Sequence, residues 1–204
     1  MVSLPRRGAS QPDAAGPLDE PPEVNERNLW IGARVIGGTT ILFFAAFAFA
    51  YFYLRSLNNT GRWRPEGVDP SQRYGLAIVL LFAASAAVLG YAAWAARQER
   101  GWLAAAGASL ALGLAGCVAQ VLEYAQLHFG PLDGGYASVF IGWTIFFVVF
   151  ALLALVWVEI LLAEGLRRRR AAALYVPAGL EDAAFYWGLL AGIGVVTWAI
   201  LYLL

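Results

Sequence analysis

The chain has 204 residues, of which 60% are hydrophobic and 14% charged, and its formal net charge is zero. A water-soluble domain of this size cannot bury that much apolar surface, so the composition excludes an ordinary soluble enzyme. Balanced charge gives no sign of a nucleic-acid partner, and a single cysteine, Cys117, excludes an internal disulfide.

Residues 1–27 hold five of the nine prolines, together with Arg6, Arg7, Asp13, Asp19, Glu20, Glu23 and Glu26. No apolar core followed by a small-residue cleavage site is present, so the segment does not read as a signal peptide. A disordered cytoplasmic tail is expected. Five apolar runs follow, at about 29–54, 74–96, 102–124, 136–162 and 184–204. Each exceeds the ~20 residues that a helix needs to cross a ~30 Å hydrocarbon core. Backbone groups in lipid must be satisfied within the segment, which helices do and isolated strands do not. The expected fold is therefore all-α: a polytopic membrane protein built as a five-transmembrane-helix bundle over residues 28–204.

The first run carries Ala33 and Gly37 at four-residue spacing, and Arg34 about 9 Å from its start. Arg55 ends it. The connection 56–73 contains Gly61, Pro65, Gly67 and Pro70 and reads as an ordered, turn-rich cap. The second run has Ala86 and Gly90 and ends at Arg97. In the third, Ala105, Ser109, Gly113 and Cys117 form one small-residue stripe, the kind of face that lets helix backbones approach in lipid. Gln120 and Glu123 share a face near its end. His128 follows in a loop, where it is expected to be solvated. The fourth run holds Glu159, and Arg167–Arg170 follow it. The fifth has Gly188 and Gly192.

Arginines set the orientation. With the N-terminus inside, cytoplasmic segments carry nine of them (Arg6, Arg7, Arg27, Arg97, Arg100 and Arg167–Arg170). Outer segments carry four (Arg55, Arg62, Arg64 and Arg73). The N-terminus is expected inside and the C-terminus outside. Trp30, Tyr51, Tyr53, Trp63, Tyr74, Trp94, Trp102, Tyr124, Tyr136, Tyr186 and Trp187 are candidates for interfacial belts, whereas Trp143, Trp157 and Trp198 lie deeper and need partners for their indole N–H groups.

Ionisable groups within membrane spans are functional candidates. Arg34 and Glu159 fall at similar depth on one side, so an approach between them, or a shared lipid or water, is expected. Glu123 lies near the other side. One histidine cannot supply paired axial haem ligands, and one histidine with one cysteine makes no usual zinc site. Nucleotide-binding glycine motifs and a nucleophile elbow are lacking in the sequence. A helper subunit of a larger membrane complex fits this inventory better than a self-sufficient enzyme.

The run Phe43-Phe44-Ala45-Ala46-Phe47-Ala48-Phe49-Ala50-Tyr51-Phe52 with Arg55, then Trp63 and Pro65, Gln120 with Glu123-Tyr124, Tyr136 with Ser138, Phe140 and Thr144, and Tyr186-Trp187 with Tyr202 occur in an ordered series. In this the chain resembles subunit III of the haem–copper oxidases, in its five-helix bacterial form. It departs from that pattern in several places. Thr40 stands at the place of a buried glutamate, Phe147 and Phe150 at those of a histidine pair, Gly188 at that of a histidine, and Ala191 at that of an aspartate. The resemblance associates those groups with a polar interior and with proton uptake by subunit I.

The resemblance implies a non-catalytic component of a respiratory complex in the bacterial plasma membrane. It would contact subunit I directly, sit with subunit II, and hold phospholipids in a V-shaped cleft. Haem and copper would belong to the partner subunits, with no cofactor bound by this chain. Arg34, Arg55, Arg97, Glu123 and Glu159 are the candidate lipid or subunit contacts. A subunit III-like component of a nitric oxide reductase shares the same features. A small transporter would need a polar path or broken helices, and an assembly factor would be absent from the finished complex.

Overall fold

A computed structural model describes residues 22–58, 61–167 and 172–204. Among these, five long helices and no strand are found: α1 (Pro22–Ser56), α2 (Gln72–Arg97), α3 (Leu103–Gln126), α4 (Gly135–Leu166) and α5 (Ala172–Trp198), the last closed by a π turn (Ala199–Leu203). All five are long and apolar enough to cross a membrane. Consecutive helices run antiparallel, as short connections require.

Two boundaries differ from expectation. Residues 22–27, assigned to the tail by composition, form the opening turns of α1. Proline is tolerated at a first helical position because its missing N–H has no intrahelical partner there. Residues 1–21 lie outside the described residues. More consequentially, α5 begins at Ala172 rather than at 184. The expected start at 184 left Pro177, Gly179, Glu181 and Asp182 outside the fifth span. Pro177 falls early in the helix, where it removes a single backbone bond, and both acids are paired.

The end of α2 is set by backbone geometry. Glu99 takes a left-handed conformation (φ 53°). This lets the Glu99 N–H reach the Ala96 carbonyl (3.1 Å) and the Arg100 N–H reach that of Ala95 (2.9 Å). Such a pair of bonds closes many helices, with glycine commonest at the turning residue.

The most extensive packing joins α2 to α3 and to α5, and α5 also meets α1 and α4. The small-residue stripe on α3 is a contact face. A Cβ on Gly113 would stand 2.6 Å from Leu155 and 3.0 Å from Trp187, so only glycine admits them. Ser109 and Ser85 each donate a hydroxyl to the other's backbone carbonyl (2.8 and 2.7 Å), and the Trp187 indole N–H donates to Ser85 Oγ (2.9 Å). All three side chains are buried. Removing the shared hydroxyl strands a buried indole donor, and such stranding costs about 1–3 kcal/mol. Ser85→Ala is expected to cost about 2 kcal/mol in detergent unfolding, and Trp187→Phe to cost less in that background than in the unaltered protein, because the indole donor is already stranded there.

The stripes on α2 and α5 behave otherwise. Gly90, Gly188 and Gly192 have nothing within 4 Å of the place a Cβ would occupy. α5 approaches its neighbours through another face, where Leu190 and Trp187 are buried.

Between α1 and α4 the seam is aromatic. Phe43 lies 5.2 Å from both Phe146 and Phe150, Phe44 lies 6.0 Å from Phe147, and Phe47 lies 5.9 Å from Trp143, centroid to centroid. Offset and edge-on ring pairs of this kind contribute beyond their buried area. The two phenylalanines at the expected histidine positions are thus part of a continuous apolar contact, and Thr40 serves it by bonding within the protein, to the Ile36 carbonyl (2.8 Å) and to the Tyr186 hydroxyl (3.2 Å).

The connection between α1 and α2 folds over the bundle end. Trp63 and Val68 are buried, and the Tyr136 N–H at the start of α4 donates to the Trp63 carbonyl (2.8 Å). Gly134 permits this junction. Its φ is +151°, and a Cβ there would press on Pro65 at 2.8 Å.

Candidate functional site

Polar side chains gather at the two ends of the bundle. At the end formed by the start of α1, the end of α2 and the start of α5, the neighbours Glu181 and Asp182 reach in different directions. Asp182 accepts a 2.8 Å bond from Arg34 Nη1 on α1, and Glu181 pairs with Arg97 on α2. The acid pair therefore ties α5 to two helices at once. Arg34 is further held by its bond to the Trp30 carbonyl (2.9 Å) and by the faces of Trp30 and Phe185, 3.9 and 4.7 Å from the guanidinium carbon. The partner of Arg34 is thus Asp182 and not Glu159, as its depth had suggested. Glu159 is exposed on the outer face of α4. Asp182 escaped detection because its helix was started too late. The signal was available: a cation within the early turns of a membrane helix needs a counter-charge, and Glu181-Asp182 was an acid pair near the same side. Of the arginine run, Arg167 is exposed beside Glu164 (3.5 Å), and residues 168–170 lie outside the described residues.

At the opposite end, Glu123 is 1% exposed. Its Oε2 accepts from Gln120 Nε2 (2.8 Å), one turn back on α3, and from the Tyr202 hydroxyl (2.7 Å) of the terminal π turn. The Gln120–Glu123 pairing agrees with their spacing. The second partner lies at the end of the last helix. Around them, the π turn's own carbonyls are satisfied by other helices, Leu201 by the Tyr136 hydroxyl on α4 and Tyr202 by the Gln72 amide on α2. The cluster is a clasp in which α2, α3 and α4 each hold the last turn of the chain's fifth helix. Arg55 lies apart from it, 3.4 Å from the Tyr51 hydroxyl. Arg64 lies over the Tyr136 ring at 4.4 Å and pairs with Asp69 (2.7 Å).

The aromatic belt is narrower than the sequence suggested. Trp30, Tyr53 and Trp94 are about half exposed at 54, 52 and 48%. Tyr51, Trp63, Tyr136, Tyr186 and Trp187 are buried and act as internal hydrogen-bond or ring partners. Trp143 is buried among helices, but its indole nitrogen and that of Trp198 have no partner among the described residues. His128 lies in the loop between α3 and α4.

One lateral feature remains. A groove of about 410 Å³ opens between α1, α4 and α5, lined by Ile41, Phe44, Ala45, Trp143, Leu189 and Gly192 among others. The lining is apolar, and the glycine keeps its wall low.

These features define a multi-pass helical membrane protein whose polar groups serve mainly to join helices. The cytochrome c oxidase subunit III family model matches residues 24–204, and the chain belongs to that family. It is a subunit III-like component of a haem–copper oxidase. No curated protein matches it.

Proposed function

We propose that this protein is a non-catalytic subunit that packs beside subunit I of its oxidase, stabilises the assembled complex, and holds a phospholipid chain in the groove between α1, α4 and α5. Oxygen reduction then takes place at haem and copper in the partner. The observation that carries the lipid part is the groove itself. It presents no charged side chain and is walled in part by Gly192, beside which there is open space, so it offers an acyl chain an apolar bed. The orientation that fits is the N-terminal end of α1 toward the cytoplasm. In it, Arg34 and Arg97 stand at the inner headgroup level and Arg55 at the outer. There Arg55 and the exposed Glu159 face headgroups or a neighbouring subunit, while Arg34 and Arg97 are engaged with Asp182 and Glu181.

Filling the groove tests the lipid reading. Gly192→Trp is expected to lower by about one the phospholipids retained per complex, read by native mass spectrometry, with the subunit still present. Unchanged lipid content would overturn the lipid role. Purifying the complex from cells lacking this protein tests the stabilising role. The expected outcome is a catalytic core with normal haem spectrum that inactivates sooner during turnover. The haem and metal content of the catalytic subunit that copurifies distinguishes an oxygen-reducing partner from a nitric oxide reductase.

A further inference from the structure

A second, much smaller space lies between the helices beside Gln120, one turn from Glu123 on α3. Gln120 of α3, Thr144 of α4, and Thr197, Trp198 and Tyr202 at the end of α5 line a cavity of about 20 Å³. It is too small for an acyl chain. Its size matches one water, which needs roughly 10–15 Å³ of probe-occupied volume and two or more polar partners.

The hydrogen-bond inventory of the lining points the same way. Gln120 is 3% exposed. Its amide nitrogen donates to Glu123, which leaves its amide oxygen with no partner among the described residues. Thr144 and Thr197 donate their hydroxyl protons to the carbonyls of Phe140 and Ile193 in their own helices (2.7 and 2.8 Å), so each hydroxyl oxygen still has lone pairs to offer. The unused capacity of these three side chains is therefore acceptor capacity. The Trp198 indole nitrogen in the same lining is a buried donor with no partner among the described residues, and an unmet donor costs free energy in a low-dielectric interior. No carboxylate lines the cavity, which disfavours a metal cation.

We propose that this cavity binds a single ordered water, which donates one hydrogen bond to the Gln120 amide oxygen and the other to a threonine hydroxyl oxygen. The water extends the Tyr202–Glu123–Gln120 chain inward by one link and adds a polar contact from α3 to α4 or α5 beside the Glu123–Tyr202 bond.

The test is a cryo-electron microscopy map of the assembled complex in lipid nanodiscs, at a resolution where buried waters elsewhere in the complex are visible. The expected result is one compact peak about 2.7–3.2 Å from the Gln120 amide oxygen, absent from the map of Gln120→Leu. Three results would overturn the proposal: no peak while other internal waters are seen, continuous acyl-chain density entering the site, or an undiminished peak in the Gln120→Leu complex. Should Gln120→Leu fail to assemble, the unmodified map decides alone, by the presence or absence of the peak.

Discussion

Replacing Gly75 with alanine is expected to dislodge the terminal π turn and to destabilise the bundle by about 3 kcal/mol. The new methyl would stand 2.5 and 2.6 Å from Cε1 and Cδ1 of the Tyr202 ring, closer than carbon atoms approach. The ring cannot simply swing aside. Its hydroxyl is bonded to Glu123 at 2.7 Å, its backbone carbonyl is held by Gln72, and its other face meets Phe140 with centroids 5.5 Å apart. Overpacking of this kind costs about 1–3 kcal/mol. If the ring moves, Glu123 loses one of its two donors while buried, and leaving a buried acceptor short of a partner costs about 1–3 kcal/mol. Tyr202→Phe, which keeps the ring and loses only the hydroxyl, is expected to show the second part alone. Gly75→Ala combined with Tyr202→Leu is expected to be less destabilised than the two changes summed, because the smaller side chain vacates the space the methyl enters. Thermal unfolding of the single and double variants in one detergent checks this, and strict additivity would show that Gly75 and Tyr202 are not coupled.

The readability of this fold was uneven for physical reasons. Spans such as Gln72–Arg97 and Leu103–Gln126 were recognisable to within a few residues, because length and apolarity are what the bilayer demands. Face assignments were harder. In α4 nearly every side is apolar, so the sequence offered no stripe to distinguish buried Trp143 and Phe147 from exposed Leu153 and Ile160. Small residues also gave a divided answer. Ser109 and Gly113 lie in a contact, whereas Gly188 and Gly192, at the same spacing, face open space. The rule that small residues permit approach does not say which face is used. The clasp at Glu123 was half legible. Gln120 is its neighbour by helical periodicity, but Tyr202 is joined to it only by tertiary folding. The polar knot of Ser85, Ser109 and Trp187 was missed, since a tryptophan adjacent to Tyr186 looked interfacial and an isolated serine carries little signal.

The departures from the family pattern are also reconciled by packing. A lone glutamate at position 40 would meet the Tyr186 hydroxyl but would sit one turn from Phe44 and the aromatic seam with α4. With threonine there, the hydroxyl is satisfied by its own helix and by Tyr186. Phe147 in turn contacts Phe44 and Phe82, and a Cβ at Gly194 would lie 3.0 Å from it. Restoring one polar residue alone would place an unsatisfied group in an aromatic layer. Thr40, Phe147 and Phe150 therefore form a mutually consistent set, whereas Gly188 stands in open space.

The second large effect is expected at the other end of the molecule. Arg34→Ala removes the partner of Asp182, whose side chain is 6% exposed, and leaves a carboxylate buried without a counter-charge. Breaking a fully buried pair from one side costs about 3–5 kcal/mol. Arg34 is itself 34% exposed, so water screens the pair and the expected loss falls to about 2 kcal/mol. Arg97→Ala is the internal comparison. That pair is 56 and 41% exposed at its two ends, and its loss is expected to cost less than about 1 kcal/mol although both acids sit side by side. Burial, and not the presence of an ion pair, sets the difference. Asp182→Asn separates charge from shape, because an amide still bonds to its surroundings and needs no cation. In the Asp182→Asn background, Arg34→Ala is expected to cost about 1 kcal/mol, the residue of its stacking on Trp30 and Phe185. Unfolding of the single and double variants in one detergent gives the coupling directly. A cost for Arg34→Ala that is the same with and without Asp182→Asn would mean that α1 is held to α5 here by the aromatic rings, with the carboxylate a bystander.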